Sequence, residues 1–296
     1  MTETIGFIGV GDMGGPMARR LLGAGYALVV HDISAASLEP ILAAGAVQAA
    51  DAEDVASNAE TVMTCLNSLD AIREVAAAAA RGNKIRTFID LSTTGPTFAR
   101  EVREIFAGTE VSMLDCPVSG AMKGAEEGTL SLMISGAEPV FQSVRPMLEA
   151  IGKNLFYLGE TPGGGQMMKL VNNYLSSMAS VGTSEALVLG VKAGLDAQTM
   201  LDVINVSTGR NNASAVKMPE GVMKRRFHTG GRMTITSKDI SLCLEEAAQL
   251  GVRMRIGEVT KALFDEAIEA GHAAERSSAV IKVIEAKAGV IIGKAD

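Results

Sequence analysis

A lysine and an asparagine stand four residues apart in the run Gly163-x-Gly165-x-x-x-Lys169-x-x-x-Asn173. On a helix, this spacing places Lys169 and Asn173 on one face. The amine can exchange a proton with a small polar substrate, and the carboxamide can hold one of its oxygens. Apolar neighbours around Lys169 predict a largely buried helix, and desolvation favours the neutral amine that a general base needs. The alternative is a solvated lysine on a helix surface.

A glycine-rich turn near the start of the chain has the spacing that binds dinucleotides. Gly9, Gly11 and Gly14 follow an apolar, β-rich run and precede a helical pattern. Glycines there let the backbone approach a pyrophosphate, whose charge the helix N-terminus favours. Asp32 ends the second predicted strand, where a carboxylate binds ribose hydroxyls and repels a 2′-phosphate. No arginine follows Asp32 closely, so the sequence predicts NAD rather than NADP, and hydride transfer with lysine as the acid/base.

Two further turns that follow predicted strands contain groups that can contact ligands. The first turn, residues 91–96, is rich in hydroxyls and can contact the nicotinamide ribose; an ordinary proline turn is the alternative. The second turn, residues 115–121, offers a serine hydroxyl and exposed backbone N–H groups that can hold a carboxylate.

Short apolar runs alternate with helical patterns through the first half of the chain. Such alternation is typical of βαβ units and of a parallel sheet covered by helices. The predicted strands are Thr4–Val10, Ala27–His31, Thr61–Leu66, Arg86–Leu91, Val111–Cys116, Leu130–Ser135 and Asn154–Leu158. The predicted helices between the earlier runs include Pro16–Ala24 and Leu69–Arg81. The fold class that we predict is α/β, with an N-terminal Rossmann-type, doubly wound sheet.

The second half of the chain is helical in pattern. One long helix, Gln166–Ala193, would measure about 40 Å. Asp196 is expected to cap the next helix, and Gly251 to end a later one. The predicted helices after the long one are Ala197–Val206, Asp239–Leu250, Val259–Ala270 and Ala274–Ala288. We therefore predict a dinucleotide-binding domain at residues 1–162 and an all-α substrate and oligomerisation domain at residues 163–296, joined by a long interdomain helix.

Composition excludes several classes of partner. The formal net charge of −7, with few aromatic residues and no tryptophan, disfavours nucleic acid and anionic membranes. The N-terminus lacks the pattern of a signal peptide, and no run of about 20 apolar residues predicts a membrane span. Three widely spaced cysteines favour a reducing cytoplasm, and three histidines without ligand spacing disfavour a metal site.

Four motifs occur in order across most of the chain. They are GFIGVGDMGGPMA from Gly6, DCPVSGAMKGAEEGTL from Asp115, GGGQMMKLVNN from Gly163 and KDISLCLEEA from Lys238. Together they resemble the β-hydroxyacid dehydrogenase family, which includes 3-hydroxyisobutyrate dehydrogenases, tartronate semialdehyde reductases and the more distant 6-phosphogluconate dehydrogenases. The segment that ends at Arg210 is similar to the SSGR stretch of 3-hydroxyisobutyrate dehydrogenases.

The resemblance implies a role for each matching residue. Lys169 would be the catalytic acid/base, and Asn173 would hold the substrate. The residues that receive its carboxylate would be Ser119, Gly120 and the N–H of Ala121. The cofactor-binding residues would be Gly9, Gly11, Asp12, Met13, Gly14, Asp32, Leu66, Thr94 and Lys238, of which Thr94 and Lys238 approach the nicotinamide. Asp239 would cap the following helix. The second domain of the family builds dimers or tetramers, which implies a homodimer or homotetramer.

Some positions depart from the family pattern. Ala121 replaces the usual second glycine of a VSGG loop. Gly231 stands four positions after Phe227, where relatives often carry an aromatic residue, and its small size would enlarge the substrate pocket. Lys123 and Arg210 are additional cations that could contact the substrate, with exposed or structurally paired charges as the alternative.

The sequence-based hypothesis is a cytoplasmic, NAD-dependent dehydrogenase for a small, anionic 3-hydroxy acid. The alternatives are an NADPH-dependent reductase of glyoxylate or succinic semialdehyde, and a dinucleotide-binding protein without catalysis. Imine reduction is a third option, although related imine reductases usually lack this lysine. The substrate stays open, since methylmalonate semialdehyde, tartronate semialdehyde and larger hydroxy diacids all fit the chemistry.

Overall fold

The computed structural model describes residues 3–294, and the chain divides into two compact units between Lys169 and Leu170. The domain boundary predicted at residue 163 lies a few residues earlier, beside the start of a long helix.

The N-terminal unit is built on a six-stranded parallel sheet. Its strands are β1 (Thr4–Ile8), β2 (Ala27–His31), β3 (Val47–Gln48), β4 (Thr61–Thr64), β5 (Thr87–Asp90) and β6 (Ser112–Asp115). Their order is β3-β2-β1-β4-β5-β6, and every neighbouring pair is parallel. This is the order of a Rossmann-type, doubly wound sheet, which confirms the predicted fold class. The two-residue strand β3 was not predicted.

Helices cover both faces of this sheet. They are α1 (Gly14–Gly23), α2 (Ala35–Ala43), α3 (Ala52–Asn58), α4 (Leu69–Ala79) and α5 (Pro96–Ile105). Adjacent strand residues alternate between two separate hydrophobic clusters: Phe7 and Met63 belong to one, whereas Ile8 and Val62 belong to the other. Because the side chains of a strand point alternately to its two faces, both faces of the sheet are buried.

A second, three-stranded sheet completes the N-terminal unit. It contains β7 (Val118–Ser119), β8 (Leu130–Ile134) and β9 (Gly152–Tyr157), with α6 (Ala121–Glu127) and α7 (Glu138–Ile151) between the strands. Strand β8 pairs antiparallel with β7 and parallel with β9. The last two predicted strands therefore exist, but they lie in this small mixed sheet rather than in the large parallel one.

The C-terminal unit is helical. Its elements are the continuation of α8 (Gly164–Lys192), α9 (Ala197–Asn205), a π-helical segment at Ala213–Val222, α10 (Met233–Gln249), α11 (Arg255–Ala267), a π-helical turn at Ile268–His272, a 3₁₀ turn at Ser277–Val280 and α12 (Ile281–Ala288). Asp196 caps α9 by accepting from the N–H of Thr199 at 2.8 Å, as predicted. The segment at Ala213–Val222 was not predicted. Within residues 3–294, no helix has both the length and the apolar character to cross a membrane.

Candidate active site

The glycine turn after β1 requires its glycines for different reasons. Gly9 has a φ of +89°, and a Cβ there would lie 2.7 Å from Cδ2 of Leu66. A Cβ on Gly14 would overlap the carbonyl oxygen of Gly9, so only glycine lets α1 start this close to the turn. A Cβ on Gly11 would meet nothing within 4 Å. The turn is therefore tightly packed behind Gly9 and Gly14 and open at Gly11, where a pyrophosphate can approach.

Asp32 links this turn to the end of β2. Its Oδ2 accepts from the N–H of Val10 at 2.8 Å, and its Oδ1 accepts from the N–H of Ser34 at 2.8 Å. The carboxylate is only partly buried, and the next side chain, Ile33, is fully exposed. Each oxygen keeps a lone pair for a ribose hydroxyl, so the described residues fit NAD.

The turn after β5 places polar groups beside Leu66. Ser92 Oγ accepts from the N–H of Leu66 at 2.9 Å, and Asp90 Oδ1 accepts from the N–H of Ser92 at 3.0 Å. Burial raises the pKa of Asp90, against the opposing effect of its hydrogen bonds to Ser92 and Thr64. The Thr94 hydroxyl is buried and makes no hydrogen bond to the described residues. An unsatisfied buried hydroxyl is costly, so a ligand group at this turn would stabilise it.

The start of α8 is fastened to the end of β6. Asp115 accepts from the N–H of Gly163 at 2.9 Å, from the N–H of Gln166 at 3.1 Å and from Ser135 Oγ at 2.6 Å. Burial raises the pKa of Asp115, and these hydrogen bonds oppose the rise. Lys169 follows one turn later and is 9% exposed. Its side chain is therefore buried, whereas the neighbouring Met168 and Val171 are 40% and 38% exposed, so the helix is buried on one face and not on all sides.

Asn173 lies one turn beyond Lys169 and is oriented by α10. Its Nδ2 donates to Asp239 Oδ2 at 2.7 Å. Lys238 Nζ lies 3.2 Å from the other oxygen of the same carboxylate. The prediction that Asp239 caps a helix was wrong, because α10 begins at Met233 and Asp239 is a buried residue inside it. Asp239 instead fixes which edge of the Asn173 carboxamide stays available.

The candidate carboxylate-binding loop has an unusual backbone. Ser119 ends β7, and Gly120 follows with a φ of +141°. Ala121 has a φ of +56°, in the left-handed region where a Cβ is disfavoured and glycine is common. The structure thus gives a physical reason for a second glycine at this position in relatives.

Comparisons with known proteins agree over most of the chain. The family model for the NAD binding domain of 6-phosphogluconate dehydrogenase matches residues 4–159, and the model for the NAD-binding region of NADP-dependent 3-hydroxyisobutyrate dehydrogenase matches residues 163–284. The chain belongs to the β-hydroxyacid dehydrogenase family. It is an NAD-dependent oxidoreductase that acts on hydroxy acids.

Similar members of the family differ in the acids that their names give. The 2-(hydroxymethyl)glutarate dehydrogenase of Eubacterium barkeri is 35% identical, with 97% of each chain covered. The NAD-dependent L-serine dehydrogenase of Pseudomonas aeruginosa is 34% identical, with 97% of this chain and 99% of the relative covered. The solved structure of Mycobacterium tuberculosis 3-hydroxyisobutyrate dehydrogenase with L-serine has a TM-score of 0.87 at 32% identity, over 96% of this chain and 99% of that one.

Three candidate specificity residues of this dehydrogenase lie at exposed positions. The side chain of Lys123 is 82% exposed, with its Nζ 3.9 Å from Glu127 on the same helix. Arg210 is exposed in the segment after α9. Gly231 is exposed in the loop before α10, where a Cβ would lie 3.2 Å from Thr236 Oγ1. A side chain at Gly231 would therefore require only a small movement of a surface hydroxyl.

The described part of the enzyme contains no group of three or more His, Cys, Asp or Glu residues that could hold a metal ion. Cys116 is buried, and burial together with the nearby Asp115 and Asp90 carboxylates raises its pKa well above the usual range. The thiol is therefore unsuited to nucleophilic chemistry.

Two polar residues that contact the candidate site were not identified from the sequence. Gln166 was known only as a member of the motif that carries Lys169, and Asp239 was assigned to a helix cap. Both are buried, and each hydrogen-bonds across a long sequence separation, Gln166 to Thr94 and Asp239 to Asn173. The available signal was position, since Gln166 lies one turn before the lysine and Asp239 follows Lys238 directly.

Proposed function

We propose that the enzyme interconverts a small 3-hydroxy acid and its aldehyde or keto acid, with Lys169 as the general acid/base. The observation that carries the proposal is the buried amine of Lys169 on the same helix as Asn173, whose carboxamide is oriented by Asp239. At 1.5 Å per residue, the two α8 residues lie about 6 Å apart along the helix axis, a spacing that one small substrate can bridge.

Lys169 handles the proton in both directions. During oxidation, its neutral amine takes the hydroxyl proton of the substrate, and during reduction its ammonium group returns that proton to the alkoxide oxygen. Bound NAD supplies the hydride acceptor. Because Lys169 is 9% exposed, bulk water competes little with the substrate for its side chain.

Asn173 and the loop after β7 would orient the substrate. Asn173 donates one Nδ2 hydrogen to Asp239, and its amide oxygen accepts from Nδ2 of Asn172 at 3.3 Å, so the second Nδ2 hydrogen is the one to donate to a substrate oxygen. Ser119, Gly120 and the N–H of Ala121 would hold the carboxylate, because a hydroxyl and turn N–H groups bind anions. Such binding at the acid group leaves only one carbon correctly placed for hydride transfer.

The cofactor is proposed to be NAD in preference to NADP. Asp32 would repel a 2′-phosphate, and the exposed Ile33 offers no positive charge to receive it. The residues that would hold the dinucleotide are Gly9, Gly11, Asp12, Met13, Gly14, Asp32, Leu66, Thr94 and Lys238. The unsatisfied hydroxyl of Thr94 supports its place in this set.

The substrate is proposed to be a hydroxy acid larger or more polar than 3-hydroxyisobutyrate. The relative from Eubacterium barkeri is named for a hydroxymethyl diacid. Gly231 has no side chain that would limit the size of the substrate, and the proposal assigns either exposed cation, Lys123 or Arg210, to a second carboxylate.

Assembly into a homodimer or homotetramer is part of the proposal. It is supported by exposed apolar side chains on α8, with Leu175 at 51% and Leu189 at 72% exposure, and with the small residues Gly182 and Ala186 between them. Light scattering after size-exclusion chromatography would measure the mass. A cytoplasmic location is proposed from the three free cysteines, Cys65, Cys116 and Cys243.

The function is tested by a matrix of hydroxy acids and cofactors. Purified enzyme is assayed with 3-hydroxyisobutyrate, serine, glycerate and 2-(hydroxymethyl)glutarate, each with NAD⁺ and with NADP⁺, by nicotinamide absorbance. We expect NAD-dependent turnover of at least one acid, with a higher kcat/KM for a diacid or polar acid than for 3-hydroxyisobutyrate. Higher kcat/KM values with NADP⁺ would contradict the proposed cofactor preference.

A further inference from the structure

Gln166 forms hydrogen bonds with the turn that follows β5 and with the end of β6. Its Oε1 accepts from the N–H groups of Thr94 and Gly95 at 2.9 and 3.3 Å, and its Nε2 donates to the carbonyl of Ser92 at 2.9 Å. Its own backbone N–H donates to Asp115 Oδ2. The residue is fully buried. A buried amide with this many partners is rigid, because each lost contact would leave an unsatisfied polar group.

The pattern of donors and acceptors specifies glutamine at this position. Two backbone N–H donors face the amide oxygen, and one carbonyl acceptor faces the amide nitrogen. In a reversed amide, the nitrogen would face the two donors and the oxygen would face the carbonyl, and neither arrangement forms a hydrogen bond. A glutamate would keep the acceptor and, when ionised, place a second acceptor against Ser92. A methionine would keep the shape of the side chain and lose all three contacts.

These contacts extend to the cofactor side of the site. Ser92, which accepts from Gln166 through its carbonyl, also accepts from the N–H of Leu66 through its hydroxyl. Asp115 holds the first turn of α8 at Gly163 and Gln166. The start of α8 is thus hydrogen-bonded directly to the ends of β5 and β6, and Ser92 extends this link to Leu66 after β4.

Lys169 lies three residues after Gln166 on α8, about 4.5 Å further along the helix axis. Positions three residues apart on a helix are neighbours on its surface. A change at Gln166 that shifts this turn therefore also shifts the amine of Lys169 relative to the turn of Thr94. Misplacement of a catalytic group by about 1 Å can cost about 10²-fold in rate.

We propose that Gln166 is a positioning residue, which sets the place of the Lys169 amine relative to the Thr94 turn. The proposal rests on the proposed function, because it requires Lys169 to act as the acid/base. Gln166 contributes no proton and acts only through the turn of helix that it fastens to the strand ends.

The test is Gln166→Met in the full-length enzyme, assayed with NAD⁺ and the hydroxy acid that the wild type turns over best. We expect kcat to fall about 10-fold to 100-fold, with KM and the NAD⁺ Kd within about threefold of the wild type. A larger primary deuterium isotope effect is also expected, since hydride transfer would become more rate-limiting. Gln198→Met, on the exposed face of α9, is the matched control and should keep wild-type kinetics.

A double-mutant cycle separates positioning from a loss of structure. If Gln166 acts through Lys169, Gln166→Met should lower kcat much less in a Lys169→Ala background than in the wild type. Equal losses in both backgrounds, or wild-type kcat and isotope effect for Gln166→Met, would overturn the proposal. Should Gln166→Met fail to fold, Gln166→Glu gives the same cycle, because it keeps the acceptor for Thr94 and alters only the contact to Ser92. Undiminished turnover by Lys169→Ala alone would instead refute the proposed function.

Discussion

The N-terminal unit fixes the turn of Thr94 and the start of α8 with buried hydrogen bonds, whereas the C-terminal unit presents two of its candidate residues in exposed segments. Asp115 and Gln166 each bind three or more groups at strand ends. Arg210 and Gly231, in contrast, are exposed before or between helices. Under the proposed function, the strand ends would fix the catalytic geometry, and substrate selection would fall to loops that can vary without loss of the fold.

The largest effect is expected from Lys169→Ala. Removal of a positioned acid/base should lower kcat by about 10² to 10⁴, with the NAD⁺ Kd little changed. Steady-state kinetics and a cofactor titration measure both quantities. Lys192→Ala, an exposed lysine on the same helix, should keep full activity. Near-normal turnover by a folded Lys169→Ala enzyme would contradict the role of the lysine.

The C-terminal unit also contains a buried lysine, Lys217, which should make stability depend on pH. Lys217 Nζ donates to the carbonyl and hydroxyl of Ser176 and to the hydroxyl of Ser180. Burial lowers the pKa of Lys217 from 10.5 to about 8. Between these two values the unfolded chain binds more protons, so the free energy of unfolding should rise with pH, by up to about 3 kcal/mol.

Lys217→Met should remove that rise. Urea unfolding at pH 7.5 and pH 10 measures the free energy of unfolding of the wild type and the variant, with the exposed Lys192→Met as the control. Other groups contribute equally to wild type and variant, so the difference between their pH slopes isolates Lys217. Identical slopes would show that Lys217 keeps its ordinary pKa in the fold.

The cofactor preference should respond to the end of β2. Asp32→Ser with Ile33→Arg removes a repulsive carboxylate and adds a partner for a 2′-phosphate. The ratio of kcat/KM for NADP⁺ to that for NAD⁺ should rise roughly 10-fold to 100-fold, as expected for one charge-assisted hydrogen bond. Because Asp32 also holds Val10 and Ser34, melting curves should confirm that the variant is folded. An unchanged ratio would argue that another residue decides cofactor choice.

The smallest effect is expected at Gly231. Gly231→Phe should lower kcat/KM for the preferred acid about tenfold more than for 3-hydroxyisobutyrate, because the ring would occupy the space of the larger substrate. Thr234→Phe, at an exposed position of α10, controls for the added bulk. If all acids are affected alike, the loop does not select substrate, and the contrast between the two units must be revised.

The sequence allowed the site's main elements to be predicted where the signal is local. The glycine fingerprint, Asp32 and the Lys169–Asn173 spacing each lie within one strand–turn–helix unit or one helix, so residue types alone predict them. The two-residue strands Val47–Gln48 and Val118–Ser119 carry no periodicity and exist only through pairing with distant strands. They were therefore missed.

The role of Asp239 could not be predicted from the residues around it in the sequence. An aspartate after a polar segment is typical of a helix cap, and the local pattern does not distinguish a cap from a buried partner. Its partner Asn173 is 66 residues away in sequence, and only tertiary packing brings the two together. Gln166 likewise contacts Thr94 across 72 residues. Polar positioning contacts of this kind require the fold to be known.

The tight packing around Gly165, at the start of α8, limits which mutations of its codon the fold can tolerate. A Cβ there would overlap the carbonyl oxygen of Met133 and approach Asp115 Oδ2 to 2.8 Å. Every amino acid that a single-nucleotide change can substitute for glycine carries a Cβ. A point mutation that replaces this glycine therefore cannot be accommodated unless the start of the helix moves. We expect glycine to be retained at this position unless β8 changes as well.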